Sequence, residues 1–174
     1  MEEPAEDAPD EARDEALRAF WADARIRAGF NPSGVYTGPT DQEMLQPPAW
    51  AFGADAEEAD ELLALVLSGR KTATSSALRD LEAAGEELPA PGSLSIILDG
   101  DGWPRALVRT TRVRVVPFGE VDVAHARAEG EGDRTLRHWQ EVHRRAFTES
   151  GGGVPFTSDL PVVLEDLVVL VPRV

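Results

Sequence analysis

Apolar positions recur at helical spacing in four stretches. Leu17, Phe20, Trp21, Ala24 and Ala28 mark one face of a helix over residues 11–28, which Gly29 stops. Leu62, Leu63, Leu65, Val66 and Leu67 fill a second helix, which Asp55 and Glu58 open in a capping arrangement and Gly69 ends. Residues 122–129 make a short helix. Asp133 caps a further one over 134–147, with Leu136, Trp139, Val142, His143 and Ala146 on one face. A short helix and loop occupy 77–88.

Strand patterns lie between these helices. Residues 49–53 read as a short strand and 93–100 as a longer one. Asp99–Gly102 (DGDG) has the chemistry of a hairpin turn. The strand of 103–116 alternates Leu107, Arg109, Thr111, Val113 and Val115 with Ala106, Val108, Thr110, Arg112 and Arg114, so polar positions fall on both faces. The last strand runs over 162–171. Strands outside a βαβ rhythm imply an α+β domain around a small, mostly antiparallel barrel with flanking helices. Residues 1–10 read as a disordered acidic tail, 11–47 as a helix and long loop packed on the barrel, and 48–174 as the barrel domain.

Composition narrows the chemistry. The chain has 174 residues, suited to one domain with appendages, and no cysteine, which removes disulfides and thiolate chemistry. No apolar run is long enough to span a membrane, and the acidic N-terminus is unlike a secretory signal, so a soluble cytoplasmic protein is expected. The net charge is −15, of which residues 1–16 carry −7 and the rest −8. Nonspecific binding to a polyanion needs clustered Lys and Arg, so DNA is not an expected partner. The three histidines are not at metal-ligand spacing, and neither a metal nor a cofactor is expected.

Against 16 arginines the chain has a single lysine, Lys71, in SGRKTATSS at 68–76. Lysine differs from arginine in being compact and able to lose its proton. As ligand anchor or base it would act with a nearby hydroxyl such as Thr74; the plainer alternative is a surface lysine on a Thr/Ser-rich strand. On a straight strand Lys71, Ala73 and Ser75 face one way and Thr72, Thr74 and Ser76 the other, so a joint role for Lys71 and Thr74 requires a bent or helical segment. Glu129, Glu131 and Asp133 alternate with Gly130 and Gly132. Glycines permit a sharp turn that sets carboxylates at a cleft edge. Glu131 reads as an acid/base or hydroxyl acceptor, Asp133 as a helix cap. Trp139 and His143 read as packed, hydrogen-bonded residues. Trp50 can stack on a base, and Tyr36 in the long loop is a candidate lid residue.

GRKTAT (69–74) resembles the GxKxxT/S signature of the ASCH domain, a PUA-like β-barrel. ADELLALVLSGRKTATSS, PGSLSIILDGDGWPRALV, VVPFGEV and AEGEGDRTLRHWQEVHRRAF extend the likeness to longer stand-alone bacterial members, over about residues 48–172. The resemblance implies a cleft that binds a nucleoside-like or RNA-derived ligand. It also implies hydrolysis of the amide of an acetylcytidine-like nucleoside, with Lys71, Thr74 and Glu131 as the working set. Arg70, Ser75, Ser76, Glu129 and Trp50 are the expected ligand contacts. Where the amidohydrolase members carry a basic residue two positions after the threonine, this chain has Ser76. Two further functions compatible with the family are a non-catalytic RNA-binding module and a ribonuclease.

Overall fold

The computed structural model describes residues 8–30 and 45–172. Among the described residues the α-helices are α1 (Ala8–Arg27), α2 (Ala56–Leu67), α3 (Leu78–Ala84), α4 (Val123–Glu129) and α5 (Leu136–Ser150). The strands are β1 (Ala49–Trp50), β2 (Ala73–Ala77), β3 (Leu94–Leu98), β4 (Pro104–Pro117) and β5 (Pro161–Val171). The tail of residues 1–7, Tyr36 and most of the 29–48 loop lie outside the described residues. Residues 8–10, expected in the tail, belong to α1.

The fold is α+β with helices flanking a sheet, and among the described residues the sheet does not close into a barrel. The strands make an open, mixed sheet in the order β1-β3-β4-β5-β2. β1 runs parallel to β3, with Ala49 opposite Ile96. β2 runs antiparallel to β5 over Ala73–Ala77. The reason lies partly at the first edge. β1 has two residues and follows Pro47-Pro48, which have no N–H to extend a ladder.

The chain forms two compact units. The first holds the residues up to Leu63, Leu94–Val108 and the chain from Val169. Its core joins Trp21 and Ala24 of α1 to Ile96, Leu107 and Val171. The DGDG turn is structural here, as its chemistry indicates: Asp99 Oδ1 accepts from the amides of Asp101 (3.1 Å) and Trp103 (2.8 Å). The capping of α2 also matches its sequence pattern, since Asp55 Oδ1 accepts from Glu58 N at 2.9 Å and Glu58 Oε2 from Ala54 N at 2.8 Å.

The second unit comprises Ala64–Ser93 and Arg109–Val168. Its core joins Ala77, Val162 and Leu164 of β2 and β5 to Phe118, Ala126, Trp139 and Phe147. Trp139, His143 and Phe147 fall one turn apart on α5 and are all buried. The cap of α5 is Thr135 rather than Asp133: Thr135 Oγ1 accepts from His138 N at 3.1 Å, while Asp133 Oδ1 accepts from the amide of Thr135 at 2.9 Å. Asp133 thus supports the cap from two residues away.

Candidate functional site

The site lies within the second unit. α2 gives way at Gly69 (φ 72°), whose left-handed backbone suits glycine. The amides of Arg70 and Lys71 both donate to Leu65 O at 2.9 Å, and Thr72 N donates to Ala128 O at 2.7 Å. The lysine segment is therefore bound to the helix before it and to the end of α4.

Lys71 is not a surface residue. It is 2% exposed, and its Nζ donates to Glu129 Oε2 at 3.0 Å and Glu131 Oε1 at 2.7 Å. Burial by itself would lower the pKa of the amine. Glu129 and Glu131 outweigh it, and the net direction is up. The lysine is held as an ammonium, which argues against an uncharged amine acting as a base.

Glu129 is the hub. Its Oε1 accepts from Ser75 Oγ (2.5 Å), His125 Nε2 (3.0 Å) and Trp139 Nε1 (2.7 Å). Its Oε2 receives Lys71 and, at 3.5 Å, His143 Nε2. Burial pushes a carboxyl up, but Lys71, His143 and the bond from His125 hold Glu129 well below the usual carboxylate range. His143 stacks on Trp139 with centroids 4.3 Å apart, and its Nδ1 meets Trp139 O at 3.0 Å. Its other ring nitrogen, Nε2, is the one that lies toward Glu129. Burial would lower its pKa; Glu129 raises it, and the net direction is up. Lys71 and His143 are thus gathered on the same buried carboxylate.

Ser75, His125 and Glu129 invite comparison with a nucleophilic triad. The geometry differs in one decisive way. His125 uses the same nitrogen, Nε2, toward Ser75 Oγ (2.8 Å) and toward Glu129 (3.0 Å), while its buried Nδ1 has no hydrogen-bond partner among the described residues. A relay needs the two nitrogens on opposite partners.

The expected site residues divide into groups. Lys71, Glu129, Glu131 and Ser75 come together. Arg70 is a clamp: its Nε donates to Gly130 O and its Nη2 to Gly132 O, both at 2.8 Å. A side chain at Gly130 (φ 74°) would run into the carbonyl of Arg70. Thr74 lies on the opposite face of β2 from Ser75, paired with Glu165, and Ser76 is paired with Val163. Among the described residues no hydrogen bond of the Thr74 hydroxyl is found. Trp50 belongs to the first unit, its ring 4.7 Å from that of Phe52. Sequence patterning does not single out His125 as a site residue, and it marks Trp139 and His143 only as packed. The available signal is a polar group one turn from another polar group on a buried face: His125 to Glu129, and Trp139 to His143.

A cavity of about 420 Å³ adjoins the cluster at His125, lined also by Thr72, Arg112, Arg114, Asp122, Ala124, Ala128, Asp166 and Leu167. That volume lies in the range of small-molecule sites. Its two arginines are each paired: Arg112 with Asp166 at 2.7 Å and Arg114 with Asp122 at 3.3 Å. Among the described residues no three side chains are grouped to hold a metal ion, and no helix is long and apolar enough to cross a membrane.

Comparison with known proteins gives this arrangement a family. The model of the ASCH domain matches residues 48–170. The chain belongs to the ASCH domain family. Two solved structures are similar over nearly the whole chain. One is protein EF3133 from Enterococcus faecalis, of the family DUF984, with 34% identity over 89% of this chain and 88% of that one and a TM-score of 0.75. The other is the ASCH domain from Lactobacillus crispatus, with 28% identity, 90% and 94% coverage and a TM-score of 0.75. No curated protein matches the chain at a significant level. Within this ASCH protein, the GxKxxT signature is the segment that sends its lysine into the Glu129 cluster.

Proposed function

We propose that this ASCH protein binds a small nucleoside-like ligand through Lys71 and hydrolyses an amide of an acylated cytidine. One observation carries the reading. The chain's only lysine is buried as an ammonium, and of its two carboxylate partners Glu131 reaches solvent, with a side chain 18% exposed. Lys71 then anchors the ligand's carbonyl oxygen and stabilises the negative charge that develops on it. Glu131 takes a proton from the attacking water and returns it to the leaving nitrogen. Water adds to the carbonyl carbon, the C–N bond breaks, and a carboxylic acid and the free amine result. Ser75 is the hydroxyl joined to the lysine's cluster, and its part is to hold Glu129. Thr74 faces the other side of β2, toward Glu165, and takes no part in this arrangement.

The paired arginines and the net charge of −15 favour a small ligand over a nucleic-acid polymer. Incubation with acylated cytidines, followed by detection of the released cytidine, tests the proposal. Turnover in the native protein is expected, with Lys71→Arg lowering it by at least about 100-fold, the effect of removing one donor to a developing oxyanion. Absence of turnover at every pH, or full activity in Lys71→Arg, rejects it.

A further inference from the structure

We infer that Glu131 occupies the position on Lys71 that a ligand oxygen takes, so that binding is an exchange of one oxygen for another. The inference rests on the reading of Lys71 as ligand anchor and deepens it.

The two carboxylates on Lys71 are not equivalent. The side chains of Lys71 and Glu129 are each 1% exposed, against 18% for Glu131. Displacing Glu129 would strand the hydrogen bonds of Ser75, His125 and Trp139 as well as the charge of His143. Among the described residues the Glu131 carboxylate makes one hydrogen bond, the one to Lys71. Solvent therefore reaches the ammonium by way of the partner with least to lose.

The backbone beneath Glu131 is held. Gly130 and Gly132 flank it at φ 74° and 50°, and Arg70 grips the carbonyls of those two glycines. Departure of the carboxylate is then a rotation of one side chain on a fixed loop. When it leaves, the Lys71 ammonium loses its nearest carboxylate oxygen, the one at 2.7 Å. The opened position favours an oxygen that carries or develops negative charge: a carboxylate, or an amide carbonyl under attack. It disfavours a ligand that presents an amine. The same rotation frees the Glu131 carboxylate for proton transfer.

The single lysine makes the test direct. Labelling the full chain with ¹⁵N-lysine gives one ammonium signal, that of Lys71. Acetate is titrated as the anionic probe, with acetamide as the neutral one, into the native protein, Glu131→Gln and Glu131→Ala. The expected result is that acetate shifts the Lys71 signal in all three, at least ~10-fold more tightly in Glu131→Ala than in the native protein, with acetamide weaker throughout. Glu131→Gln, nearly the same shape, serves if the alanine variant does not fold; it should also bind acetate more tightly than the native chain. Equal acetate affinity in the native and variant proteins, or an unmoved signal in all of them, overturns the inference. Tightened acetate binding with no deacylation of cytidines leaves the exchange standing and rejects the hydrolase.

Discussion

Two glutamates in one unit face opposite fates. Glu129 meets Ser75 on one face of β2, and Glu165 lies across from Thr74 on the other. Both carboxyls are withdrawn from water, which raises the pKa of each. Glu129 nevertheless ends well below the usual range, because Lys71 and His143 supply charge and His125 donates to it. Glu165 ends above it: burial raises it, and the hydroxyl of Thr110, at 2.9 Å, only partly offsets that. Burial does not decide whether a carboxyl is ionised; the count and charge of its donors do. The family's lysine is positioned on the saturated side, where a fixed anion keeps it an ammonium.

The sharpest way to break that contrast is to remove the hub. Glu129→Leu leaves Lys71 and His143 buried with one carboxylate fewer and strands three neutral donors. A loss of about 3–5 kcal/mol in urea denaturation is expected, the cost of removing one partner of a buried pair. A loss below about 1 kcal/mol would mean that the cluster repacks and that the hub is not one. Ser75→Ala ranks next. It takes a single hydroxyl from a carboxylate that keeps its other donors, for about 1–3 kcal/mol. The native turnover, if deacylation is observed, should fall in Ser75→Ala in proportion to the loss of order at Lys71, seen in the same ¹⁵N signal.

Much of this side is legible in the chain itself. A lone Lys71 among arginines and the alternation of acids with Gly130 and Gly132 single out two segments that the fold brings into contact. Strand alternation alone puts Ser75 with Lys71 and Thr74 away from it. The contacts of Glu129 with Trp139 and His143 are not legible, because they depend on how α5 docks against α4, and no local pattern encodes that. Arg70 reads as a charge beside a lysine; only the fold shows that its guanidinium is used on backbone carbonyls. That the sheet stays open among the described residues is hidden for a related reason. Closure depends on nonlocal pairing of two edges, and the two-residue β1 after a Pro-Pro pair has nothing to extend. The α5 cap slips from Asp133 to Thr135 because both residue types satisfy the same amide requirement, and the choice turns on backbone conformation.

On the other face of the strand pair the effects shrink and one changes sign. Glu165 has its pKa raised in the fold, so the protonated form is the one the fold prefers. Such a group adds stability below its unfolded pKa, near 4.5, and that contribution is lost as the pH rises through the folded value. Glu165→Gln removes the charge that costs energy at high pH and keeps the shape. The variant should be more stable than the native chain at pH 8 by no more than about 1 kcal/mol, since Glu165 is only partly buried, and the gain should vanish toward pH 4. A variant destabilised at pH 8 would show that Glu165 is ionised and paired after all.

Thr74→Val is the smallest change and the most discriminating. The hydroxyl it removes has no hydrogen bond among the described residues, and valine suits a strand as well as threonine does. Stability should stay within about 0.5 kcal/mol of native, well short of the loss in Ser75→Ala. Lys71, on the other face, should keep its ¹⁵N signal. If Thr74→Val instead costs more than Ser75→Ala, the two faces of β2 are assigned the wrong way round. The family resemblance gives Thr74 a part in hydrolysis, and the same variant isolates it. A chain that is as stable as native, with an unchanged ammonium, but that no longer deacylates cytidines has lost a hydroxyl needed by the ligand or its water. A chain that keeps its turnover moves the whole chemistry to the Lys71 face.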